Sequence, residues 1–140
     1  MVTVREVDAA KLVAVLKEEL KKVEEIQPPA WSAFAKSSVA RQRPPQQPDF
    51  WYVRAASVMR RIYLDGPVGV QKLRTFYGGR KRRGAAPARS RTGGASIVRK
   101  LLQQLEAAGF VEKAKKAAGR KMTPKGQKFL DNLAYKTRAG

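Results

Sequence analysis

The sequence predicts a mainly α fold: a helical domain around a central helix, winged helix-turn-helix-like, with one small β-hairpin. Three observations predict it. The first is the stretch over residues 49–66, where Phe50, Trp51, Tyr52, Val53, Ala55, Ala56, Val58, Met59, Ile62, Tyr63 and Leu64 cover most of a helical cylinder. Its one polar stripe is Arg54, Ser57 and Arg61 at i, i+3, i+7, with Arg60 beside it. Such a helix belongs inside the fold and emerges along one arginine-bearing edge. The second is the order of the elements after that helix: helix, helix, basic hairpin, helix. The third is size, since 140 residues at 43% hydrophobic content suit one domain with a real core.

Val7, Asp8 and Leu12 open the first long helix. Asp8 is the predicted N-cap, with Val7 and Leu12 in the N′/N4 relation of a hydrophobic staple. Leu12, Val13, Leu16, Leu20 and Val23 make one apolar face, and Lys11, Glu18, Lys21, Lys22 and Glu25 face water. Glu18 and Lys22 form an i,i+4 pair in the favourable orientation. The balanced charge suits packing rather than binding. Pro28 and Pro29 pre-set a short turn in which Trp31 and Phe34 share a face, as core anchors rather than a stacking platform. Residues 36–48, with three prolines, read as an extended linker whose Arg41 and Arg43 are either solvated or set against phosphate.

The central helix has its own punctuation. Asp49 is the predicted N-cap, Gly66 can end the helix in the left-handed region, and Pro67 forbids continuation. Residues 67–70 are a short extended piece, after which Val70, Leu73, Phe76 and Tyr77 recur at helical spacing up to Gly78 and Gly79. The next helix covers residues 96–108. It buries Val98, Leu101, Leu102, Leu105 and Ala108, and shows Ser96, Arg99, Lys100 and Gln103 on the other face. Gly109 is its C′ residue and Phe110 makes the contact that often accompanies it. Residues 110–114 and 120–122 form the hairpin, with Lys115, Lys116, Arg120 and Lys121 at and beside its tip. Thr123 caps the last helix, Pro124 takes its first position, and Phe129, Leu130, Leu133 and Ala134 give its buried stripe.

One joint is irregular. A DNA-reading helix-turn-helix joins its helices with about 3–4 residues. Here residues 78–92 intervene, a basic loop of fifteen residues carrying Arg80, Lys81, Arg82, Arg83, Arg89 and Arg91. With no apolar side chain that could fold it alone, it is expected to order only against phosphate, with guanidinium forks holding oxygens pairwise. Lys81, Arg82 and Arg83 also read, less well, as a nuclear localisation patch. The loop blocks ordinary duplex docking and suits an irregular RNA surface.

Charge says the same. The formal net charge is +19, and residues 54–140 hold 22 Lys+Arg against 4 Asp+Glu, whereas residues 1–53 hold 8 against 7. Residues 66–105 contain ten Lys+Arg and no acid. A thermophile-style surface would interleave Glu with Lys. Self-repulsion on this scale calls for a polyanion, and nucleic acid is the expected partner. The chain has no cysteine and no histidine, so thiol and imidazole chemistry and Cys/His metal sites are excluded. Asp65, Glu106, Glu112 and Asp131, the acids of the basic half, are scattered, so neither an enzyme nor a cofactor is expected. No apolar run reaches the ~20 residues of a membrane span, and the N-terminus lacks signal-peptide character, which together suggest a cytoplasmic protein. The predicted site is one phosphate-binding face made of Arg54, Arg60, Arg61, the six basic loop residues, Arg99, Lys100, Lys115, Lys116, Arg120 and Lys121. The competing reading of the edge is that Arg54 or Arg61 bridges to an acid or to helix-end carbonyls inside the protein. The competing function is a winged-helix DNA-binding transcription regulator, which would need a short turn and usually a dimerisation helix.

These residues also resemble a known family. The run of Trp51, Tyr52, Val53, Arg54, Ala55, Ala56 and Ser57, then Arg60, Tyr63, Gly66, Gly69, Val70, Tyr77, Gly78, Gly79, Arg80, Arg82, Gly84 and Pro87, is similar to the S19e family of archaeal and eukaryotic ribosomal proteins. The similarity continues through Gly94, Ser96, Arg99, Lys100, Leu102, Gln103, Leu105, Glu106, Val111, Glu112, Lys113, Gly119, Arg120, Lys121, Thr123, Pro124, Lys125, Gly126 and Gln127. Two positions depart from the family pattern. Phe50 stands where a tryptophan is usual, which keeps a large apolar group. Ala88, Arg89 and Ser90 replace a histidine–phenylalanine pair after the proline, so charge stands in for an aromatic contact. The resemblance implies a helical fold around a central helix with winged-helix character. It implies a place in the head of the small ribosomal subunit, on the 3′ major domain of its rRNA, and a part in subunit maturation. The implied partners are small-subunit ribosomal RNA and neighbouring small-subunit ribosomal proteins. Neither a membrane, a small-molecule substrate nor a homo-oligomer is implied, and one copy per subunit is.

Overall fold

The computed structural model describes residues 4–33, 49–91, 93, 95–114 and 119–139. Its helices are α1 (Ala9–Leu20), α2 (Phe50–Asp65), α3 (Val70–Phe76), α4 (Ala95–Ala107) and α5 (Pro124–Ala139). Two antiparallel hairpins interrupt them, β1 (Gly79–Arg83) with β2 (Ala86–Arg91), and β3 (Val111–Lys113) with β4 (Arg120–Met122). The mainly α, winged-helix-like architecture is as the sequence predicts.

α2 is the centre, and α1, α4, β4 and the turn Val4–Glu6 all pack on it. Trp51, Ala55, Ala56, Val58, Met59 and Ile62 are buried, and no α2 residue before Asp65 is fully exposed. The apolar circumference read from the sequence is therefore used on nearly every side. Burial of this face, continuous with Leu12, Leu16 and Leu20 of α1 and Leu101, Leu102 and Leu105 of α4, is the main cohesive term of the fold.

The joints are built by capping. Asp8 accepts from the Ala10 N–H at 3.4 Å at the start of α1. α4 ends in a Schellman motif: Phe110 N–H reaches the Leu105 carbonyl and Gly109 N–H the Glu106 carbonyl, both at 3.0 Å, with Gly109 at φ +85°. Thr123 Oγ1 accepts from Gly126 N–H at 3.1 Å to cap α5, and its hydroxyl proton faces the Gly109 and Phe110 carbonyls at 2.7 and 3.0 Å. One threonine thus ties the end of α4 to the start of α5. Gly66 ends α2 at φ +78°. The extended piece after it pairs with the wing, Val68 N–H to the Arg120 carbonyl at 3.0 Å and Arg120 N–H to the Val68 carbonyl at 2.8 Å. That bridge, with α3, α4 and the β3–β4 hairpin in succession, is the layout of a winged helix.

Several expectations are corrected. Among the described residues there are two hairpins, not one, because the basic joint is paired over residues 79–91 rather than a structureless loop. Its backbone pairs with itself, Gly79 opposite Arg91, Arg80 opposite Ser90, Lys81 opposite Arg89 and Arg83 opposite Ala86. Gly84, at φ +67°, opens the two-residue connection as a type II′ turn requires. The register shifts between Lys81 and Arg83, where β2 carries one residue more, so Pro87, which has no N–H to give, falls at the bulge. The backbone of this segment thus has hydrogen-bond partners of its own across the ladder. Asp49 makes no side-chain cap to α2; its carboxylate is held by Lys17 at 2.8 Å and Lys21 at 3.6 Å instead. That pins the start of α2 to α1. Lys22 pairs with Glu19 and Lys21 with Glu18, both at i,i+3, rather than Lys22 with Glu18. Trp31 is 41% exposed and meets Trp51 edge-on, so it is a lid on the core rather than an anchor within it. Phe34, the linker over 36–48 and the tip of the β3–β4 hairpin lie outside the described residues.

Candidate nucleic-acid interface

The arginine edge of α2 is flanked by the end of α3. Arg54 lies over the Tyr77 ring at 4.0 Å and over Phe50 at 5.2 Å, contacts that favour a cation on an aromatic face. Tyr77 is held in turn by Ser57, hydroxyl to hydroxyl at 2.6 Å. Arg61 forks onto Asp65, Nε to Oδ2 at 2.7 Å and Nη2 to Oδ1 at 2.9 Å, and lies 4.5 Å from the Phe76 ring centroid. Arg60 differs from both: its Nε is buried and has no hydrogen-bond partner among the described residues. A buried donor without a partner costs stability.

Other predicted site residues divide by environment. Arg99 and Lys100 are exposed on α4, beside exposed Ser96 and Gln103. Arg120 is turned inward, its Nε donating to Glu106 Oε2 at 2.9 Å, and so joins the wing to α4. Lys121 stands 3.6 Å from Glu112 across the β3–β4 ladder and stays half exposed. Arg80, Lys81, Arg82 and Arg83 lie on β1, and Arg89 and Arg91 on β2. Lys115 and Lys116 lie outside the described residues.

Sequence reasoning misses the aromatic half of this surface. Helical spacing puts Phe76 and Tyr77 on a buried face, yet Phe76 is 51% exposed and Tyr77 half-buried. It misses Arg74 as well, whose Nε donates to the Gly93 carbonyl at 2.9 Å, while Gly93 N–H reaches the Arg74 carbonyl at 2.7 Å. This couples α3 to the chain entering α4.

Charge pairing and burial shift the titration of these groups in opposite directions. The Arg61 guanidinium holds the Asp65 carboxyl below its usual range, and the Lys17 ammonium does the same for Asp49. Burial pushes the Tyr77 and Tyr63 hydroxyls up. A carboxylate lowered in the folded state adds stability that is present above its unfolded pKa and lost as pH falls through the folded one. A tyrosine raised in the folded state adds stability present below its unfolded pKa and lost as pH rises through the folded one. The melting temperature is therefore expected to fall below about pH 4 and above about pH 10. Asp65→Asn should flatten the acid limb and Tyr77→Phe the alkaline limb in a thermal series over pH. Unchanged limbs in both variants would contradict the assignment.

Fold and surface together define a class: a strongly basic, winged-helix-like domain with an arginine edge on α2, exposed cations on the open face of α4 and an inserted hairpin whose sequence is rich in arginine. The family model for ribosomal protein S19e matches residues 3–139, and the chain belongs to that family. It is a structural protein of the cytoplasmic ribosome. It is 46% identical over 136 residues to small ribosomal subunit protein eS19 of Aeropyrum pernix, covering 96% of this chain and 88% of that one. With eS19 of Emericella nidulans it shares 41% over 136 residues, covering 97% and 92%. With eS19 of Haloarcula marismortui it shares 41% over 138 residues, covering 96% and 90%.

Proposed function

We propose that this chain is a structural constituent of the small ribosomal subunit. In this reading it binds small-subunit rRNA on the 3′ major domain in the subunit head, chiefly through phosphate. It thereby supports subunit assembly and pre-rRNA maturation, one copy per subunit, beside neighbouring small-subunit ribosomal proteins. The observation that carries the reading is where the unbalanced charge lies. The acid-free segment 66–105 supplies both the exposed Arg99 and Lys100 and the β1–β2 hairpin. The register of that hairpin sets Lys81 opposite Arg89, and like charges in opposed positions weaken a ladder unless an anion lies between them. A phosphate backbone supplies that anion. The small-subunit assignment comes from the relatives, each named as a protein of that subunit.

The test is co-sedimentation with small subunits through a high-salt gradient, comparing the natural protein with Arg60→Ala/Arg61→Ala. Partly exposed ion pairs contribute little to stability, so the double variant should melt within a few degrees of the parent. It should incorporate poorly. A variant that unfolds, while its residual folded fraction binds rRNA normally, would show the edge to be internal bracing. Tighter binding to duplex DNA than to rRNA would favour the transcription-regulator reading instead.

A further inference from the structure

Phosphate binding leaves one part of this surface without a task, the half-exposed Phe76 at the end of α3. A single exposed apolar residue is ordinary. Phe76 differs because its surroundings fix it. Arg61 covers the ring at 4.5 Å, and Arg61 is itself locked by two hydrogen bonds to Asp65. The Tyr77 ring stands nearly perpendicular to it, with centroids 4.9 Å apart, and Tyr77 is anchored by Ser57 and by Arg54. The result is a flat plate held in place from within the protein and open to solvent over the remainder.

We propose that the open part of Phe76 is a stacking site for one unpaired nucleobase of the bound RNA, with Arg61 on the ring and nearby Arg54 favouring its phosphates. This rests on the RNA-binding reading above and deepens it. Stacking is the contact that a flat ring offers to any base, and a surrounding of cations favours an occupant that carries negative charge.

The experiment measures equilibrium binding to transcribed small-subunit rRNA across a salt series, with thermal melts of every variant. Phe76→Ala and Phe76→Leu should both weaken binding about tenfold to a hundredfold, and Phe76→Tyr should restore it. The salt slope should stay that of the parent, since no phosphate contact is lost. Parental affinity in Phe76→Leu, which keeps the bulk but not the flat ring, would overturn the stacking site, as would a flattened slope. Normal rRNA binding by Phe76→Ala with failed entry into subunits would also overturn it, placing a protein neighbour there. A parent protein that does not bind the rRNA at all would overturn the RNA-binding reading itself. A binding parent with insensitive Phe76 variants would overturn only the stacking.

Discussion

Trp51→Ala is expected to destabilise the free protein by about 3–5 kcal/mol, a large part of the ~5–15 kcal/mol typical of a domain. Trp51 is 2% exposed, and its loss would open a cavity between α2 and α4. It would also break a buried polar chain. Trp51 Nε1 donates to Gln104 Oε1 at 2.8 Å, and Gln104 Nε2 donates to the Gln27 carbonyl at 2.7 Å, which ties the segment after α1 to α4. The Gln104 side-chain oxygen takes its hydrogen bond from Trp51, so that buried acceptor depends on the indole. Trp51→Phe would keep much of the apolar volume but leave the Gln104 oxygen without its donor, at about 1–3 kcal/mol. Urea unfolding would read both losses as midpoint shifts at constant m. Near-equal costs for Phe and Ala would mean that the hydrogen bond, not the volume, dominates.

Gly126→Ala is expected to destabilise by about 2–3 kcal/mol, although helix propensity alone favours alanine by roughly 1 kcal/mol. Gly126 lies in the first turn of α5, where an added Cβ would run into the Phe110 carbonyl and Met122 Sδ. Methionine sulfur can move aside; a backbone carbonyl held by Thr123 cannot do so without disturbing that cap. The substitution would lever α5 off the wing. A thermal melt decides the sign, and a stabilised variant would show that α5 is free to shift.

What the sequence displays best is apolar surface in long periodic runs. α1, α2, α4 and α5 are legible because twelve to sixteen residues of pattern carry their own end signals. Asp8, Gly66, Gly109 and Thr123 are among those signals, and the structure uses each of them. The β1–β2 hairpin is not legible, because its strands are mostly Arg, Lys, Ala and Pro without apolar alternation. Its pairing rests on a Gly84 turn and a bulge at Pro87, signals that carry no periodicity. Asp49 shows a related limit: the residue type fits an N-cap, but two lysines from the α1 side outcompete the backbone, and their proximity is a tertiary fact. The candidate site divides in the same way. Arginine positions are readable from charge alone, whereas the aromatic rings beside Arg54 and Arg61 come from α3 folding back onto α2. The inward turn of Arg120 toward Glu106 likewise depends on how the wing meets α4.

The central claim is that this basic half grips rRNA mainly through phosphates, and the salt dependence of binding tests it most directly. Neutralising about eight phosphates, at ~0.7–0.9 per contact, makes log K fall against log salt with a slope of roughly −6 to −7. Measured on small-subunit rRNA with the full chain, a slope in that range is the expected result. A slope of about −1 to −2 would show that charge is not the main term, and would contradict the account.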